Sequence, residues 1–153
     1  MTIRTESRIT VARDVGAVWD YLCDVGRWAE WAPTVRECWM RDGGSFEPGA
    51  WVEQRAHDFG LNHHRTEQVT AVDAPRAMAF AGTMGTAPAR WGMQFDPVGE
   101  GSTAAMMWVE IDLAGIVHRV AGAGVRNQVQ RVSDIEMAAI KAALESRGEQ
   151  AKP

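Results

Sequence analysis

Arg65 and Glu67 are the residues of this chain whose types and spacing best suit chemistry. They stand two apart in His63–Val72, a stretch that reads as a β-strand, so both side chains leave on one face. With Val69 and Ala71 taken as the inward parity, that face is the inward one, and His63 shares it. A buried charge left alone is very costly. The guanidinium and carboxylate therefore pair with each other at the rim or hold a polar group of a bound molecule. On the second reading, Arg65→Met weakens ligand binding more than it weakens folding. Gln128, on a C-terminal helix, is a lesser candidate for the same polar spot. His63 and His64 are neighbours, so a strand sends them to opposite faces, and His57 and His118 show no ligand spacing to them. No metal site is expected. The chain also lacks a nucleophile motif, a glycine-rich phosphate loop and a dinucleotide fingerprint, so no cofactor is expected.

These residues need elements to position them. Ile3, Ile9 and Val11 alternate with Arg4, Glu6 and Arg8, the pattern of a half-buried strand. Asp14 is a good N-cap for a short helix carrying Val15, Val18, Trp19, Leu22 and Cys23. Asp24 reads as a second N-cap, followed by Val25, Trp28 and Trp31 at three-residue spacing, with Pro33 as the stop. Strands follow at Val35–Met40, Trp51–His57, His63–Val72, Arg76–Met84, Arg90–Phe95 and Thr103–Leu113, with turn chemistry between them and Phe59–Asn62 as a hairpin connection. From about Gly115 to Ser146 the spacing is helical, with Val125, Gln128, Val132, Ile135 and Ala139 in the apolar stripe. Ala121-Gly122-Ala123-Gly124 predicts a kink or a loose first portion. The expected unit is one α+β domain over 1–147, with a flexible tail over 148–153.

Composition limits the partners. The chain has 153 residues and a net charge of −4, without an extended basic run, which argues against nucleic acid. No stretch approaches the roughly 20 apolar residues of a membrane span, and MTIRTESR lacks an apolar signal core. Cys23 and Cys38 read as reduced core thiols, so a cytoplasmic protein is the default expectation. Seven tryptophans and eight methionines hint at a roomy apolar interior.

The order of elements, the segment VWDYLCDVGRWAEWAP, the Val69…Pro75-Arg76 turn and the Gly99–Thr103 loop before MWVEIDL resemble the helix-grip superfamily of START and Bet v 1-like proteins. Within it they resemble the bacterial polyketide cyclase/dehydrase-like branch. The resemblance implies a curved seven-stranded antiparallel sheet, two short helices and one long C-terminal helix. It also implies a deep apolar cavity for a lipid, polyketide or other hydrophobic molecule. Strand parity then predicts Phe80, Trp91, Met93, Phe95, Met107 and Val109 as the cavity wall, with Trp28 and Trp31 closing its mouth. Aromatic cyclases of this group carry a tyrosine and arginines at positions near Val35, Ala71 and Gly82 here, none of which transfers a proton. A binding protein, monomer or homodimer, is thus the first expectation. The alternative is an aromatic polyketide cyclase or dehydratase that uses His63, Arg65 and Glu67 instead.

Overall fold

In the computed structural model, which describes residues 1–58 and 60–150, alternating apolar residues form seven strands. They are β1 (Thr2–Val11), β2 (Val35–Met40), β3 (Trp51–Asp58), β4 (Leu61–Asp73), β5 (Ala77–Met84), β6 (Ala87–Pro97) and β7 (Thr103–Asp112). All pair antiparallel in one sheet of order β1-β7-β6-β5-β4-β3-β2. β2 to β7 are a meander, and β1 joins it beside β7. The first two strands in the chain, β1 and β2, therefore sit at opposite edges. The segment between them must cross from edge to edge. It does so as α1 (Val15–Cys23) and a 3-10 helix (Val25–Glu30).

Both crossing helices follow from their sequence. The Asp14 carboxylate accepts from the Ala17 N–H at 3.2 Å and caps α1. Three-residue spacing of Val25, Trp28 and Trp31 matches a helix with three residues per turn, which is why the second is 3-10 rather than α. Asp24 does not cap it; its carboxylate takes the Arg27 Nε at 2.9 Å instead.

A long helix, α2 (Gly115–Gln150), completes the fold. Its helical secondary structure is continuous through Ala121–Gly124. It also runs on past the expected tail boundary; residues 151–153, like Phe59 of the expected hairpin connection, lie outside the described residues. α2 packs chiefly along β1, with lesser contact to β7 and the 3-10 helix. The free backbone edge of β1 is covered by helix side chains: Arg126, Gln130 and Lys141 donate to the carbonyls of Arg4, Glu6 and Thr10 at 2.9, 2.9 and 2.5 Å.

One parity differs from expectation. A bulge between Val69 and Ala71 shifts the pairing with β5, so Val72 turns inward and Ala71 outward. The bulge lies after Val69, so Arg65 and Glu67 keep the inward face. On β3 the inward set is Val52, Gln54 and Ala56. On the convex face, Trp108 lies over Gly92, where a Cβ would stand 2.5 Å from the Met78 carbonyl oxygen and 2.7 Å from the indole. Only glycine fits there.

Candidate functional site

The concave side divides into a filled part and a half-open part. Phe80 stacks on Trp91 with centroids 4.2 Å apart, and Trp28 packs edge-on to both at 5.3 and 5.5 Å. Trp31 lies against Trp28 at 5.7 Å. The Trp28 indole N–H donates to the Leu22 carbonyl at 2.9 Å, anchoring the ring to α1. Phe80, Met93, Phe95 and Met107, expected to line a cavity, are at most 2 % exposed and form packed core. Trp28 and Trp31 are buried with them rather than closing a mouth. The reason is volume: so many large rings on short strands meet in the middle of the sheet.

The half-open part is polar at its centre. Inward-facing Trp91, Val109, Arg65 and Glu67 are half-buried, and so are Val132 and Glu136 on the facing side of α2. Glu67 Oε2 accepts from the Trp91 indole N–H at 3.1 Å. Gly82, directly behind it, leaves room: a Cβ there would stand 3.3 Å from Glu67 Cγ. Arg65 does not pair with Glu67. It donates to Gln54 Oε1 at 2.9 and 3.2 Å and to Thr34 at 3.2 Å, with Asp58 at 3.6 Å. Burial pushes the Glu67 carboxyl above its usual range, against the Trp91 N–H and the Arg65 charge, which favour the ionised form. Glu136 is pushed up to about 7, first by burial and then by Glu67, with Arg65 acting against both. Among the described residues Glu136 makes no hydrogen bond or ion pair. Two carboxyls that share a low-dielectric crevice and resist joint ionisation are suited to holding or moving a proton.

Glu136 was not singled out from sequence, and Gln128 was. Gln128 and Ile135 are exposed, because the stripe that docks is Val125, Val129, Met137, Ile140 and Leu144, a phase that brings Glu136 inward. Four-residue steps from Ile140 back through Glu136 to Val132 carried that signal. His63 is exposed at the hairpin, its Nε2 2.6 Å from Asp58. His64 pairs with Glu53 on the convex side, where Glu53 also takes Arg41 at 2.6 Å. His57 Nδ1 lies 2.7 Å from Asn62. No group of three or more metal-ligating side chains occurs among the described residues. Cys23 and Cys38 are free thiols that burial pushes up to about 12, so they are poor nucleophiles. The shallow surface depressions lie elsewhere, one on the outer side of α2 around Arg131 and Ile135, the other over the convex face at Arg8 and Gln94.

The fold, a curved antiparallel sheet gripping a terminal helix, has relatives. The family described as polyketide cyclase/dehydrase and lipid transport matches residues 2–145. The chain belongs to this family. Its fold is shared with the Zhui aromatase/cyclase from a Streptomyces species, at 20% identity and TM-score 0.75 over 96% of each chain. A START superfamily protein from Mycobacterium smegmatis matches at 15% identity and TM-score 0.67, over 97% of this chain and 99% of that one. A point mutant of norcoclaurine synthase from Thalictrum flavum, in complex with a transition-state analogue, matches at 12% identity and TM-score 0.73 over 97% of each. At these identities the likeness is one of fold. No curated protein matches the chain by sequence. Among the described residues no helix is long and apolar enough to cross a membrane.

Proposed function

We propose that this member of the polyketide cyclase/dehydrase and lipid transport family binds a hydrophobic small molecule of lipid or polyketide type in the crevice between β4–β7 and α2. One observation carries the reading. A largely apolar interior spends burial on Arg65, Glu67 and Glu136, and two of these three carboxyl and guanidinium groups are left without an ion-pair partner among the described residues. Such groups are stabilised by a ligand that brings hydroxyl or carbonyl oxygens to them while its apolar body covers Trp91 and Val109. Trp91 makes the test direct. Titration with a polyhydroxylated aromatic (naringenin) and with palmitate, read by indole fluorescence and by calorimetry, is expected to show saturable binding of one class. Glu67→Gln, which keeps shape and the Trp91 acceptor, is expected to weaken it about tenfold. Absence of saturable binding by both probes overturns the reading.

A second reading, cyclase or dehydratase, is favoured by the raised Glu136 carboxyl beside Glu67. An ionised member of the pair removes a proton from a methylene between two carbonyls, and a protonated member supplies one to the departing hydroxyl. Incubation with a poly-β-ketone, comparing wild type with Glu136→Gln by product profile, tests it. Identical profiles from both proteins exclude the pair from catalysis.

A further inference from the structure

We propose that the end of the molecule formed by the first turns of α2 and the adjoining hairpin tips docks on an anionic lipid bilayer. The strand register places one set of features at that end. β7 ends at Asp112, opposite Thr2, and leads straight into α2, while the β5–β6 and β3–β4 connections lie at the same end. Large apolar side chains gather there in water: Ile116 at 70 %, Val117 at 44 % and Val120 at 83 % exposure, with Leu61 and Met84 on the hairpins. Among the described residues nothing buries them, since the docked side of the helix is the opposite one, Val125 and Val129.

Charge decides the occupant. From Leu113 to Ser133 the chain carries Arg119, Arg126, Arg131 and His118 and no acidic residue, although the whole chain is at −4. Arg119, Arg126 and Arg131 are exposed. Glu110, on the strand beside this stretch, is already matched, 2.7 Å from Arg4 and 3.0 Å from Arg90; Asp112 accepts from the Thr2 hydroxyl at 2.6 Å and is the one carboxylate there without a cation among the described residues. The helix N-terminus adds partial positive charge of its own. A second copy meeting this face would set arginine against arginine. An anionic headgroup layer meets the arginines favourably while Ile116 and Val120 enter the acyl boundary, the mode of an interfacial helix that lies on a bilayer without spanning it. The proposal is independent of the ligand reading, although the crevice opens toward the same half of α2, where Val125, Val129 and Val132 are only half-buried.

Sedimentation with vesicles tests it. The full chain is expected to sediment with phosphatidylcholine vesicles that contain phosphatidylglycerol, to stay in solution with phosphatidylcholine alone, and to be released by salt. I116D/V120D is expected to reduce partitioning about a hundredfold, and R119E/R131E about tenfold or more. All four residues are exposed, so the unfolding midpoints of both variants should match wild type. Equal sedimentation with both vesicle types overturns the proposal, as does full binding by I116D/V120D. A wild-type dimer in solution that I116D/V120D dissolves overturns it too, by assigning the face to a second copy.

Discussion

The two halves of α2 are built differently. In the C-terminal half, Met137, Ile140 and Leu144 are at most 1 % exposed and belong to the main core cluster with residues of α1, the 3-10 helix and the strands. Polar ties fix it from outside: Arg147 donates to both Glu30 oxygens at 2.9 and 3.1 Å, and Arg13 donates to the Leu144 carbonyl at 2.9 Å. The N-terminal half sets half-buried valines against the sheet, reaches the β1 carbonyls through Arg126 and Gln130, and leaves Ile116 and Val120 bare to water. One helix thus serves as a wedge at one end and as a loosely seated cover at the other.

Substitutions can break that comparison. Trp28→Ala removes three ring contacts and the bond to Leu22, and is expected to cost about 3–5 kcal/mol in urea unfolding. Ile140→Ala in the tight half should cost about 2–5 kcal/mol. Arg65→Met comes next, at about 1–3 kcal/mol, because it orphans the buried Gln54 oxygen. If its affinity loss for the ligand probe does not exceed that stability loss, Arg65 is a structural residue.

The pH profile sharpens the contrast further. Glu136 is about 7 in the fold against an ordinary 4.5, so between these values the folded state binds the extra proton. Its contribution to stability is therefore largest below pH 4.5, falls as pH rises toward 7, and is lost above. The expected loss is about 2 kcal/mol, after allowance for the solvent access of a half-buried group. Glu136→Gln should remove that slope and stabilise the protein near pH 8 by a similar amount, measured as the difference from wild type across the range. Val120→Ala, in the loose half, should change stability by less than about 0.5 kcal/mol. A Val120 effect equal to that of Ile140 would erase the distinction between the halves.

The strands, the short helices and the inward parity of Phe80, Trp91 and Met107 were legible because alternation and turn residues are local signals. Arg65 and Glu67 were legible for the same reason, standing before the bulge. Ala71 was not, because a bulge is one unpaired residue without a pattern of its own. Glu136 was hidden in a helix whose apolar residues are spread round the barrel by alanines and glycines, so that two phases fit the sequence and only packing against β1 chooses one. The filled centre was hidden too. Parity says which rings point inward; it says nothing of whether they meet, and Phe80 and Trp91 do.

The placing of β1 sets an order on assembly. Thr2 finds Asp112 across 110 positions of chain, whereas the hairpins of the meander close over two to ten residues. Loop-closure entropy delays such a distant pairing. Of the seven strands, β1 precedes the others in the chain yet finds its neighbour last, and α2, which rests mainly on that strand, has no seat until it arrives. Insertion of β1 and docking of the terminal helix become a single late event that completes the native state.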